Sequence, residues 1–402
     1  MGKKVVLFVG SALLTLISCG GGGGGGGASI TSTNMVPEKQ SIYNWLVLIY
    51  MDGDNSLSSY TDADLNELSS VIYDPRVKVV ILRDTYGDNG GEIWETINGA
   101  LSKVENVPEP NMGKPATLEQ FVINYANQYP SKNIALIMWD HGLAWRALIP
   151  PSSSYRLAAI DETNNDTLYM YEFRQALQNI KSSGININLI GFDECLMGNL
   201  EVFYDVSVNT DYVVASENLE PGEGWDYSLV MDKLNQNPDI DAYTFGKYIV
   251  DSYKEAYENS YCTTNNCTMT LASVNNTNTL VDAINQISLE YLKNSNSLKN
   301  IFSNIRNNLP EIYDNLVDVY NFAKGLEGKL NSTAPYEIVS TINNLYKYTN
   351  NAQFMGISIY FPPDKYQTDI SYFCSSPTVC EGYYNPFTET YWDDFLKSFL
   401  GF

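Results

Sequence analysis

Between residues 43 and 235 short apolar runs alternate with amphipathic stretches, and this alternation narrows the available folds more than any other feature of the chain. "NWLVLIYMDG", "VKVVILRDTYG", "NIALIMWDHG", "INLIGFDEC" and "YVVASE" each carry a brief continuous apolar run. These runs are too short for helices and lack the polar alternation of a strand with one wet face. They read as strands buried on both sides. Helical periodicity fills most intervals: about 57–72, 117–129, "LYMYEFRQALQNI" and "LMGNLEVFYDVS". Strand–helix repetition of this kind predicts an α/β fold with a mostly parallel central sheet. A polar, hairpin-like stretch, "EIWETING", interrupts it after the second strand. From about 240 to 350 the chain reads as helical and Asn-rich, "FMGISIYFP" (354–362) is expected to rejoin the sheet, and "YWDDFLKSFL" closes as a helix. No internal repeat and no boundary after residue 43 is evident. We expect one domain over 43–402, with a core of about 43–235 and a helical C-terminal region of about 236–402.

Ligands of an open parallel sheet bind at the carboxyl ends of its strands. His141, the only histidine in 402 residues, lies just past the end of the third run. Cys195 lies just past the end of the fourth, and "MDGDN" (51–55) and "ASENLEPGEGWD" (215–226) fall on the same edge. Of six cysteines, Cys262 with Cys267 and Cys374 with Cys380 are close neighbours in polar, turn-rich stretches and read as two small disulfide loops. A zinc site would need tighter C-x2-C spacing. Cys195 is left unpaired. A lone histidine is most often structural, and a lone cysteine is often a small buried hydrophobe. Their meeting on one rim gives the pair a chemical reading instead. A thiolate nucleophile is favoured by a nearby imidazole and a helix N-terminus, and Cys195 is expected to open the helix "LMGNLEVF". Oxyanion donors would be the backbone N–H groups of Gly142 and Cys195. Asp193 and Glu194 oppose the thiolate by like charge. Other hydrolase and nucleotide motifs are missing, including G-x-S-x-G, H-E-x-x-H and G-x-x-x-x-G-K-[ST].

Lys3 and Lys4 precede an apolar run from Val5 to Ile17, too short to span a bilayer. The segment reads as a secretory signal over 1–18, and "LISC" resembles a bacterial lipobox, which implies lipid on Cys19. Residues 19–42, with the glycine run Gly20–Gly27, read as a flexible tether of roughly 25–30 Å root-mean-square span. The expected place is therefore outside the cytoplasm, on a membrane through a lipid anchor. A net charge of −23 argues against nucleic acid or anionic lipid as partner. It suits cationic ligands, and equally plain solubility.

"WDHG" and "GFDECLMGNLEV" resemble the two catalytic blocks of the clostripain family of cysteine peptidases, in the caspase-like group. "WLVLIYMDGDNSL", "IDETNNDTLYMYEFRQAL", "YVVASENLEPGEGWDY" and "GISIYFP" are similar too, so the resemblance covers about 45–362. The family mainly carries Ala before the nucleophile, where this chain has Glu194. The resemblance implies a caspase-like α/β/α sandwich, His141 as catalytic histidine, Cys195 as nucleophile and Asp193 as the residue meeting a basic P1 side chain. A capping role for Asp193 at the next helix is the plain alternative, with Glu217, Glu223 or Asp226 as other acids. The expected activity is a monomeric endopeptidase cutting peptides after Arg, then Lys, through a Cys-His dyad and a thioester. No cofactor is needed for that chemistry. Some members use calcium, for which Asp52, Asp54 and Asn55 are candidates, although an N-cap for the helix from Leu57 explains them as simply. Some members cut themselves between the two catalytic residues. Here "AWRALIPPSSSYRLAAI" offers Arg156 and Arg146, with Arg156 favoured. The rival readings are a catalytically silent surface lipoprotein that binds basic peptides and a structural surface lipoprotein.

Overall fold

Residues 43–87, 90–145, 160–376 and 384–402 are described by the computed structural model. The chain starts with Tyr43–Gly53 (β1), Tyr60–Ser70 (α1), Val77–Thr85 (β2) and the hairpin Gly91–Ile97 (β3) with Ala100–Val107 (β4). Pro115–Gln128 (α2), Ser131–Trp139 (β5), the ribbon Ile160–Asp161 (β6) with Asp166–Thr167 (β7), and Met170–Ser182 (α3) follow. Next come Ile187–Asp193 (β8), Leu200–Val206 (α4), Thr210–Ala215 (β9), Tyr227–Gln236 (α5) and Ala242–Tyr257 (α6). Thr268–Ser273 (β10), Val274–Lys293 (α7), Ser295–Asn308 (α8), Leu316–Asp318 (β11) and Val319–Leu326 (α9) continue the chain. Ala334–Asn343 (α10), Tyr346–Thr349 (β12), Ser358–Tyr360 (β13) and Trp392–Leu400 (α11) complete it.

Nine strands form one sheet in the order β12-β10-β9-β8-β5-β1-β2-β3-β4. The five strands expected from the apolar runs are its parallel centre, β9-β8-β5-β1-β2. The alternation of β1 shows why its run is unbroken. Leu46, Leu48 and Tyr50 enter one core with Phe121 of α2, Phe173 of α3 and Leu280 of α7. Trp45, Val47, Ile49 and Met51 enter the other, with Leu65 of α1, Val230 of α5 and Phe245 of α6. Helices cover both faces, so neither set can be polar.

The C-terminal region does return strands to the sheet, but not the expected one. β13, within "FMGISIYFP", pairs antiparallel with β11 in a separate ribbon, and Ser358 bridges Asn199. The places beyond β9 are taken by β10 and β12, both antiparallel. "TMTLAS" and "YKYT" mix polar with apolar residues, which suits the outer strands of a sheet and hides them in a search for apolar runs. All described residues fall within one compact unit, Gln40–Phe402. Among them no helix is long and apolar enough to cross a membrane.

Candidate active site

Parallel pairing sets Trp139 of β5 opposite Asp193 of β8, so the two strands end level. His141 and Cys195 each lie two residues beyond that pair. Gly142 brings the two turns into contact. A Cβ on it would lie 2.1 Å from the Cys195 carbonyl oxygen and 2.9 Å from the Glu194 Cβ, so only glycine allows the approach. After Cys195 the backbone turns sharply, with Leu196 at φ +66°. Few non-glycine residues tolerate that geometry, and it persists where neighbours hold it. Here Leu196 N–H donates to the Asn218 carbonyl (3.1 Å) and Gly198 N–H to the Ser216 carbonyl (2.6 Å).

Cys195 is the one free cysteine among the described residues and is half-buried. Its sulfur accepts the Glu220 backbone N–H at 3.2 Å. Burial pushes the thiol up to about 12, helped by the carboxylates of Glu220, Asp193 and Glu194 and opposed by the Glu220 N–H. The resting sulfur is therefore protonated at neutral pH. The expected helix N-terminus is not there to lower it. α4 starts at Leu200, and Asn199 caps it by accepting the Val202 N–H at 3.2 Å. A helix dipole acts mainly over its first turn, and Cys195 lies outside that turn.

On the other turn, His141 Nε2 lies 2.9 Å from the Ser56 hydroxyl. Its backbone N–H donates to Asp140, which also accepts from Ile160 N–H and, at 2.8 Å, from the Asn55 amide. Neither Ser56 nor this network was found in the sequence, where "MDGDNSL" reads as a cap or cation loop.

Asp193 is buried and accepts from Trp225 N–H (3.0 Å) and the Tyr227 hydroxyl (2.9 Å). Burial raises it to about 7, against the pull of those donors. The capping alternative fails, since Asn199 caps α4. β8 ends at Asp193, two residues before Cys195. Of the other acids, Glu217 accepts Gly356 N–H at 2.6 Å, Asp226 caps α5, and Glu223 is exposed. Glu220, overlooked in the sequence, is nearer the thiol. Its Oε2 accepts Trp225 Nε1–H at 3.2 Å, while Oε1 is buried without a hydrogen-bond partner.

Glu194 is 2% exposed, and neither carboxyl oxygen has a hydrogen-bond partner. Burial first, then Asp140 and Asp193, hold it well above the usual carboxylate range. Only in its ionised form is it an unwelcome anion beside Cys195. Glu194→Gln is expected to speed iodoacetamide alkylation of Cys195 by about threefold or more at the pH values where the wild-type carboxyl is ionised, and to leave it unchanged below them. Equal rates at every pH would show that the two groups do not interact.

Further along the edge, carboxylate oxygens of Asp54, Asp84 and Glu109 lie within 4.8 Å of one another. Asp52 is not among them, and its Oδ1 accepts the Asp54 N–H at 3.2 Å. The N-cap explanation does not hold, because α1 begins at Tyr60 after Ser59. Cys262 and Cys267 are joined, with Cα atoms 5.6 Å apart. Cys19, Arg146, Arg156 and Cys380, the expected partner of Cys374, lie outside the described residues.

A profile described as the clostripain family matches residues 49–399. Clostripain of Hathewaya histolytica is 26% identical over 223 residues, 47% of this chain and 41% of that protein. The chain thus spans about two fifths of the length of the curated relative it matches. A secreted C11 cysteine protease from Bacteroides thetaiotaomicron, solved with an irreversible peptide inhibitor, superposes with a TM-score of 0.65 at 17% identity, over 85% of this chain and 98% of that one. An inactive zymogen C11 protease from Parabacteroides distasonis gives 0.62 at 17% identity, over 80% and 92%. At such identity these two likenesses speak for the fold alone, a caspase-like sandwich. The profile match runs from the first strand into the last helix, and by it this chain belongs to the clostripain family.

Proposed function

We propose that the protein is a cysteine endopeptidase that cuts peptide bonds after basic residues. The observation that carries this reading is the contact of Gly142 with the Cys195 carbonyl, which joins the lone histidine and the free thiol at one sheet edge. His141 takes the Cys195 proton as the sulfur attacks the scissile carbonyl, so a C–S bond forms and negative charge moves to the carbonyl oxygen. Backbone N–H groups of Gly142 and Cys195 receive that oxygen. The imidazolium then protonates the leaving amine, the C–N bond breaks, and water hydrolyses the thioester. With burial holding the resting thiol well up, proton transfer to His141 accompanies the attack. Asp193 meets the basic P1 side chain. An arginine chloromethyl ketone should alkylate Cys195 and no other residue. An unlabelled Cys195 would favour the silent, peptide-binding rival.

Export with a lipid on Cys19 belongs to the same reading, as does self-cleavage between His141 and Cys195. Mass spectrometry of purified protein is expected to find a new N-terminus at Leu157, after Arg156, or at Ala147, after Arg146. The same cut in a Cys195→Ala variant would assign it to an outside protease.

A calcium ion fits Asp54, Asp84 and Glu109, an oxygen-only set with one Asp84 oxygen buried without a hydrogen-bond donor. Its role would be structural, holding the β1 and β2 ends together. Burial raises Asp84 to about 8 and the adjoining Asp161 to about 6. Both exceed the unfolded value of about 3.9. Their contribution to stability is therefore complete below about pH 4 and lost as pH rises through 6 to 8. In EDTA the Tm is expected to fall across that window, and calcium to restore it at pH 8. Identical Tm values with EDTA and calcium at pH 8 would mean that no ion is held.

A further inference from the structure

We propose that Ser56 is the positioning residue for the imidazole, fixing His141 through its Nε2 and presenting Nδ1 for proton exchange. The proposal rests on the reading of His141 and Cys195 as the reacting pair. The Ser56 Oγ to His141 Nε2 distance is 2.9 Å. Ser56 itself is exposed, and His141 is half-buried.

The loop around it is built with care. Asn55 is buried, and its side-chain oxygen accepts the Leu57 N–H at 2.8 Å while its carbonyl accepts the Ser58 N–H at 3.1 Å. The Asn55 amide nitrogen donates to Asp140 Oδ1 (2.8 Å) and to the Ile160 carbonyl (3.1 Å). The same Asp140 oxygen accepts the His141 backbone N–H. One carboxylate and one amide therefore tie together the two loops that carry the Ser56–His141 bond.

The chemistry needs such a partner. Neutral imidazole has one donor and one acceptor nitrogen, and after taking the thiol proton it has two donors. For Nδ1 to take the thiol proton, Nε2 must carry the N–H of the neutral ring, and it keeps that N–H in the imidazolium, so the Ser56 hydroxyl accepts from Nε2 in both states without moving the ring. The proton leaves Cys195 Sγ for Nδ1 and later leaves Nδ1 for the amine, while Nε2 keeps its bond throughout. A carboxylate at position 56 would instead hold the proton on the ring and slow its return to the leaving group.

Because His141 is the only histidine, labelling the full chain with ¹⁵N-histidine reports on this one ring. In wild type the two nitrogens should give distinct shifts of a single tautomer, and in Ser56→Ala these should converge as the ring exchanges tautomers. For an arginine peptide substrate, Ser56→Ala should lower kcat about tenfold, the worth of one hydrogen bond lost in the transition state, with KM within about twofold. Ser56→Thr, which keeps the hydroxyl, should recover most of the loss. Unchanged ring shifts, a wild-type kcat in Ser56→Ala, or a Thr variant as slow as the Ala variant would each overturn the proposal. Activity surviving in His141→Ala would instead remove the underlying dyad, and the ring shifts would still report whether Ser56 holds the imidazole.

Discussion

Cys195→Ala is expected to leave peptide hydrolysis at least about a thousandfold below wild type, and His141→Ala to do the same, since removing either member of a nucleophile–base pair disables both. The fold should survive. Cys195 is half-buried in a turn held by backbone bonds from Leu196 and Gly198, and losing its sulfur removes one weak acceptor for the Glu220 N–H. A cost of about 1 kcal/mol is typical of such a change. Single-turnover assays of a fluorogenic arginine peptide, with thermal unfolding beside them, separate the two effects. Substantial turnover in a folded Cys195→Ala protein would sink the assignment.

The second large effect is expected at Asp193. A charge pair in a mostly desolvated pocket, cut at one partner, typically costs about 2–5 kcal/mol. Asp193→Asn should therefore lower kcat/KM for Arg substrates by roughly thirty- to a few-thousandfold and leave a neutral P1 substrate nearly untouched. Asn is the informative replacement, because its oxygen can still accept Trp225 N–H while its amide N–H donates to the Tyr227 hydroxyl, which can turn to accept. Alanine would strand both donors at about 1–3 kcal/mol each and confuse specificity with stability. Arg should be preferred to Lys through its bidentate fork. Since burial raises Asp193 to about 7, KM for Arg substrates should also improve as pH rises through that value and the carboxylate forms. Equal slowing of Arg and neutral substrates would assign Asp193 to holding Trp225 and Tyr227, and Glu220 would become the acid to test.

The parallel centre of the sheet was legible because strands such as β1 and β5 are buried on both faces and cannot hide polar residues. The rim followed from topology, since His141 and Cys195 both come just past strand ends. What escaped was set by contacts that no local pattern encodes. Ser56 is bonded to a ring 85 positions away, and Glu220 aims its backbone N–H at a sulfur 25 positions earlier. The false helix N-terminus at Cys195 has a similar origin. "LMGNLEV" has helical periodicity, yet the positive φ of Leu196 and the cap at Asn199 delay the helix to Leu200. β13 was misplaced because burial alone makes a strand apolar, and it is buried in a different sheet.

The antiparallel seam between β9 and β10 also bears on how the chain can be made. One flank of β9 bonds to β8, and the other bonds only to a strand that begins at Thr268. Whether it emerges from a ribosome or an export channel, β9 comes out well before that strand. Until β10 arrives, a row of unpaired N–H and C=O groups on an apolar strand is open to a second molecule, the template on which sheets aggregate. A chain cut after residue 235 keeps every residue of the proposed catalytic pair and pocket, yet leaves that flank permanently uncovered. Such a fragment is expected to self-associate.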